Sequence, residues 1–137
     1  MNGTESIRIL IVDDDPTLLT LLVEEFRYLG LEAHGAGSVT EGLDLVQRKK
    51  PHIIITDLAM PDGGGESLLI RLKTVQDPPL CRFLTSGDIR LNNQAYELME
   101  VDRLIPKPYQ PEQVVKLAVE VLTEKGFPER ALLALSA

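Results

Sequence analysis

Two short stretches constrain this chain more than any others: Ile7 to Val12 (Ile-Arg-Ile-Leu-Ile-Val) and Ile53 to Thr56 (Ile-Ile-Ile-Thr). Nearly continuous apolar runs rich in β-branched residues suit strands buried on both faces, which places them in a covered parallel sheet. Both runs stop on carboxylates, the first at Asp13, Asp14 and Asp15, the second at Asp57. Met60-Pro61 then ends any regular pairing. A carboxylate at the carboxyl end of a buried parallel strand lies where open α/β sheets carry their chemistry.

The rest of the chain alternates in the same sense. After the first strand, Asp15 caps a helix opened by Pro16, with Leu18, Leu22, Phe26 and Leu29 at helical spacing and Gly30 at its end. Residues 31–36 form a weaker strand. Ser38 and Glu41 have capping-box spacing ahead of a helix running to about Lys50. Beyond Asp57, residues 62–65 (Asp-Gly-Gly-Gly) predict a flexible loop. A helix with Leu68, Leu69 and Leu72 follows, and Pro78-Pro79 breaks it. Residues 80–84 predict a strand ending at Thr85-Ser86-Gly87, residues 89–100 a helix, and residues 101–105 a less apolar strand near an edge. Pro111 opens a last helix that ends at Gly126. Five strands alternating with five helices predict an α/β fold: a flavodoxin-like (βα)5 doubly wound, five-stranded parallel sheet. Right-handed crossovers and the two strongest apolar runs at its centre favour the order 2-1-3-4-5. Residues 1–126 are expected to form one domain. Residues 127–137, with Leu132, Leu133 and Leu135, read as a tail packed as an extra turn or frayed, with no output domain.

Composition narrows the classes of function. At 137 residues the chain can bury a core without staples. A formal net charge of −7 argues against a nucleic-acid surface, and no apolar run approaches bilayer-spanning length. The single cysteine, Cys81, cannot pair within the chain and reads as a small buried hydrophobe in a reducing, cytoplasmic setting.

Four strand ends carry polar groups of different kinds: Asp13-Asp14, Asp57, Thr85 and Lys107. In a parallel sheet these ends share one edge. Singly, each has a plain explanation: a helix cap, a strand threonine, a solvated lysine. Together they describe a site. Three clustered carboxylates repel by roughly 3 kcal/mol per pair at an effective dielectric near 20, so a cation belongs among them. Oxygen ligands without histidine or cysteine select a hard ion, and Mg²⁺ fits carboxylates, waters and a phosphate. A carboxylate beside Mg²⁺ can attack a phosphoryl group, with the Lys107 ammonium and the Thr85 hydroxyl set against the charge that develops.

These residues resemble a family, the receiver domain of two-component response regulators. The matching motifs are Ile-Val-Asp-Asp at 11–14, Ile-Thr-Asp-Leu-Ala-Met-Pro at 55–61, Leu-Thr-Ser at 84–86 and Pro-Lys-Pro-Tyr at 106–109. The resemblance runs from about Ile7 to Lys125. It implies that Asp57 accepts phosphate from a histidine kinase or histidine phosphotransfer protein. It also implies that Asp14 and Asp57 bind Mg²⁺ directly, Asp13 acts through water, and the Ala59 carbonyl completes the protein ligands. Thr85 and Lys107 would contact the phosphoryl group, and the bond before Pro108 would be cis. Such a domain catalyses only its own phosphorylation and dephosphorylation. It signals to a downstream protein as a monomer or a phosphorylation-linked homodimer, without membrane or nucleic-acid contacts of its own.

Three departures bear on output. The family's switch aromatic, three residues before the lysine, is Leu104; the Gly-Ala pair before the fifth strand is Glu100-Val101; and Gly63-Gly64 replaces a usual Met-Asp, adding backbone freedom beside the site. Leu104 sustains an alternative, a receiver-fold scaffold whose output ignores phosphate. A Mg²⁺-dependent phosphohydrolase using an aspartyl phosphate is the enzymatic alternative. Such enzymes carry a second aspartate two positions after the nucleophile, where this chain has Ala59.

Overall fold

The computed structural model describes residues 6–87, 97 and 99–136. Five strands run β1 (Arg8–Val12), β2 (Glu32–Ala36), β3 (Ile53–Asp57), β4 (Cys81–Ser86) and β5 (Arg103–Pro106). All pair in parallel, in the order β2-β1-β3-β4-β5. The expected flavodoxin-like sheet is therefore the observed one, with the two strongest apolar runs adjacent at its centre. The helices are α1 (Pro16–Tyr28), α2 (Val39–Lys49), α3 (Gly64–Arg71), α4 (Pro111–Glu124) and α5 (Glu129–Ser136). The helix expected over 89–100 lies mostly outside the described residues.

The runs are unbroken because successive side chains enter two different cores. Ile9, Ile11, Ile53, Ile55 and Phe83 join Phe26 of α1 and Val114, Ala118 and Leu122 of α4 on one face. Leu10, Val12, Ile54 and Leu84 join Val39 and Val46 of α2 and Leu68 and Leu69 of α3 on the other. Cys81 sits in the first core with no exposed surface, and burial pushes its thiol far above the ordinary range.

Local chemistry sets the helix starts. Asp15 accepts the N–H groups of Thr17 (3.1 Å) and Leu18 (3.2 Å), and Pro16 occupies the first turn. Ser38 Oγ accepts the N–H of Glu41 at 3.1 Å, while Glu41 reaches back to the Gly37 N–H at 2.7 Å.

One expectation is corrected. The glycine run is not a free loop, because α3 begins within it, at Gly64. Gly64 holds φ +69, a Cβ there would strike the Leu58 carbonyl, and one on Gly65 would strike the Asp57 carbonyl. Glycine here permits close backbone approach and leaves little freedom. Residues 127–136 pack on the domain: α5 buries Leu132, and Phe127 meets the His52 ring edge-on at 5.3 Å.

Candidate functional site

Strand order reverses between β1 and β3, and the crevice at that reversal lies beyond the strands' carboxyl ends. Asp13 follows β1 there and Asp57 ends β3. Thr85 pairs with Asp57 across the β3–β4 ladder and with Ile105 of β5, which brings Lys107, just past β5, to the same edge. Lys107-Pro108 is a cis peptide bond, as the resemblance implied.

The side chains converge. Lys107 Nζ lies 2.9 Å from Asp13 Oδ2 and 3.1 Å from Asp57 Oδ2. Both carboxylates are buried, whereas Asp14 beside them is exposed. One oxygen from each of Asp13, Asp14 and Asp57 falls within 4.8 Å of the others. Asp13 Oδ1 also accepts the Asp15 N–H at 2.9 Å, and Asp57 Oδ1 accepts the Ala59 N–H at 3.3 Å. The Asp14 carboxylate makes no hydrogen bond or ion pair among the described residues.

Electrostatics follow from this packing. Burial works against the charged form of Lys107. Hydrogen bonds to Asp13 and Asp57 outweigh it and hold the ammonium above its ordinary range. The Tyr109 phenol is pushed well up, chiefly by burial and further by the charges of Asp13, Asp57 and Glu25. One lysine against three carboxylates leaves the cluster with excess negative charge.

The donor set fits a hard divalent cation: it is all oxygen, it is anionic, and Asp14 offers an uncommitted carboxylate. A second observation points to a ligand oxygen. Thr85 Oγ1 is buried and has no hydrogen-bond partner among the described residues. Leaving such a hydroxyl unsatisfied costs about 1–3 kcal/mol, which a ligand oxygen beside it would recover. A cation and a ligand oxygen together would answer both features.

Sequence reasoning missed one residue near this edge, Asp62, and one at the opposite end of β4, Arg82. Asp62, in the loop after β3, binds the start of α2, with its oxygens 3.0 and 3.1 Å from the Val39 N–H and 3.4 Å from that of Thr40. Arg82, buried in β4, pairs with Glu100 at 2.9 Å and bonds the Pro79 carbonyl at 3.1 Å. The Asp-Gly step at 62–63 reads only as a turn signal, and nothing in local periodicity marks a lone arginine as buried. Leu104 packs half-buried against the core that contains Leu84 and Met99.

Comparison with known proteins agrees with this geometry. The family described as the response regulator receiver domain matches residues 9–119. The probable transcriptional regulatory protein TcrX of Mycobacterium tuberculosis is 26% identical over 122 residues, covering 89% of this chain and 52% of that protein. The chain thus spans about half the length of the curated relatives it matches. A CheY-like response regulator receiver domain protein from Methanospirillum hungatei superimposes with a TM-score of 0.80 at 26% identity, covering 89% of this chain and 98% of its own. The signal receiver domain of an HD domain-containing protein from Pseudomonas fluorescens gives 0.79 at 25% identity, covering 90% and 100%. With the family match spanning most of its length and the acidic edge at the sheet's switch point, this chain belongs to the response regulator receiver domains.

Proposed function

We propose that this receiver domain takes a phosphoryl group onto Asp57 from a histidine kinase or a histidine phosphotransfer protein and signals through protein–protein contacts. An Asp57 oxygen forms the new bond to phosphorus as the bond to the donor's imidazole nitrogen breaks, and that nitrogen keeps the electron pair. Asp13, Asp14, Asp57 and the Ala59 carbonyl would hold Mg²⁺. When bound, it supplies positive charge against the phosphoryl oxygens. Lys107 already pairs with Asp57 and offers an ammonium to the arriving phosphoryl group. Thr85 offers a hydroxyl donor with no competing partner among the described residues. A donor kinase draws on ATP, which fits a cytoplasmic setting; among the described residues no helix is long and apolar enough to cross a membrane.

The observation that carries this reading is the convergence of Lys107, Asp13 and Asp57 within hydrogen-bond distance, beside a Thr85 hydroxyl that has no partner among the described residues. The test is intact-mass measurement after incubation with acetyl phosphate and Mg²⁺, with Asp57→Asn alongside. Gain of one phosphoryl group by the wild type alone is the expected result. No gain, together with no Mg²⁺ binding, overturns the proposal in favour of a receiver-shaped scaffold.

The scaffold reading has one observation of its own: Leu104 presents neither ring nor hydroxyl where the sheet face meets Met99. It predicts equal partner binding by wild type and Asp57→Ala, with or without phosphodonor.

A further inference from the structure

The loop between β3 and α3 follows directly on Asp57 and contains Ala59, and its anchoring is uneven. At its start, the Leu58 N–H bonds the Thr85 carbonyl at 2.8 Å. At its end, the Gly65 N–H returns to the Leu58 carbonyl at 3.0 Å. Between them, among the described residues, Asp62 is the one side chain that bonds outside the loop. Its carboxylate crosses to the first two N–H groups of α2, those of Val39 and Thr40.

Helix α2 is already capped without it. Ser38 Oγ takes the Glu41 N–H, and the Ser38 carbonyl takes that of Gly42 at 2.9 Å. Asp62 fills the two remaining donors of the first turn, where the helix dipole also favours a negative charge. The tie therefore joins two elements that flank the acidic cluster. The α2 side is itself fixed to the site, since the Asp13 N–H bonds the carbonyl of Ala36 at 3.0 Å, two residues before Ser38.

We infer that Asp62 is a positioning residue: by bonding the Val39 and Thr40 N–H groups it holds loop 58–63 against α2 and so sets Ala59 in register with Asp57. The consequence for metal binding rests on the reading of Asp57 and Ala59 given above; the loop tie itself does not. A loop held in place presents a backbone carbonyl without ordering cost, whereas a released loop must be ordered when the ion arrives. Asp62 touches neither metal nor phosphoryl group in this account.

The test uses Asp62→Ala, Asp62→Asn and Ser38→Ala in the full chain. Amide hydrogen exchange without Mg²⁺ reads the tie directly. In Asp62→Ala the amides of 58–63 are expected to exchange at least tenfold faster than in wild type. Asp62→Asn, which keeps one acceptor oxygen, falls between, and Ser38→Ala leaves these amides unchanged while loosening α2. If Asp62→Ala accelerates only the α2 amides and leaves 58–63 at wild-type rates, Asp62 is merely a helix cap and the inference fails. Calorimetric Mg²⁺ titration gives the second readout, with about tenfold weaker binding expected for Asp62→Ala, partial recovery for Asp62→Asn and none lost for Ser38→Ala. Equal affinity in wild type and Asp62→Ala overturns the positioning role. A wild type that binds no Mg²⁺ instead defeats the reading of the acidic cluster, and the exchange rates still decide the tie.

Discussion

The Lys107 ammonium stands 3.1 Å from the Asp57 carboxylate, fifty residues earlier in the chain, and the same nitrogen reaches Asp13 at 2.9 Å. One side chain thus ties the ends of three strands, β1, β3 and β5, at a single edge. Removing it leaves two buried carboxylates facing each other with no cation between them, a situation more costly than losing an ordinary surface pair. Lys107→Ala is expected to lose about 2 kcal/mol of stability without Mg²⁺, discounted from the larger figure for fully buried pairs because Lys107 keeps some exposure. Saturating Mg²⁺ should recover most of that loss. Urea unfolding of both proteins, with and without the ion, measures it; an unchanged midpoint would mean that the pair contributes nothing.

Asp14 has the opposite character. It is exposed, it bonds to nothing among the described residues, and its oxygen lies within 4.8 Å of those of two buried carboxylates. Repulsion at that range is roughly 3 kcal/mol per pair at an effective dielectric near 20, and less for an exposed group. Asp14→Asn should therefore stabilise the ion-free protein by about 1 kcal/mol while weakening Mg²⁺ binding, the usual exchange of stability for function at a site. In the wild type, Mg²⁺ at a hundred times its Kd should add about 2.7 kcal/mol. Thermal melts of both proteins across a Mg²⁺ series check the two effects, and a variant less stable than wild type without the ion would contradict the repulsion argument.

What could be read from the sequence was whatever leaves a local signature. Strands covered on both faces show as unbroken apolar runs, so Ile53–Ile55 declared both the parallel sheet and its centre. Parallel strands point their carboxyl ends the same way, so the polar residue closing each run marked the edge where Asp13, Asp57, Thr85 and Lys107 meet. What could not be read were pairings across distance. The Asp62 carboxylate and its partner Val39 are 23 residues apart, and neither position looks unusual alone. The glycines at 63–65 looked like freedom because close approach to the Leu58 and Asp57 carbonyls becomes visible only once the loop is folded. Thr85 and Ser86 also extend β4 beyond its expected end, because they pair with Ile105 and Pro106 of β5.

Glu100 explains one departure from the family pattern. The pattern puts glycine at this position, and here the backbone does adopt a left-handed conformation, with φ +54. A non-glycine residue held there costs roughly 1 kcal/mol. Glu100 offsets this by pairing with the largely buried Arg82 guanidinium at 2.9 Å. Glu100→Ala should keep the backbone cost and lose the pair, giving about 1 kcal/mol of destabilisation. Glu100→Gly loses the same pair but relieves the backbone and should be close to neutral. The comparison by urea unfolding separates the two contributions, and equal loss in both variants would remove the backbone argument.

Asp62 carries the last prediction, through pH. Its carboxyl is held below its ordinary value of 3.8, first by the hydrogen bond from the Val39 N–H, which outweighs the opposing effect of burial, with Thr40 adding to it. A group whose pKa is depressed on folding binds protons more readily in the unfolded chain, so stability rises with pH through that range. The contribution of Asp62 is therefore complete above about pH 5 and drains away as pH falls below 3.8 towards the folded value. Asp62→Asn has no proton to gain there. The gap in urea midpoint between wild type and Asp62→Asn should be constant from pH 5 to 7 and should close between pH 4 and 2. A gap that keeps its size down to pH 2 would mean that the bond to α2 owes nothing to the charge.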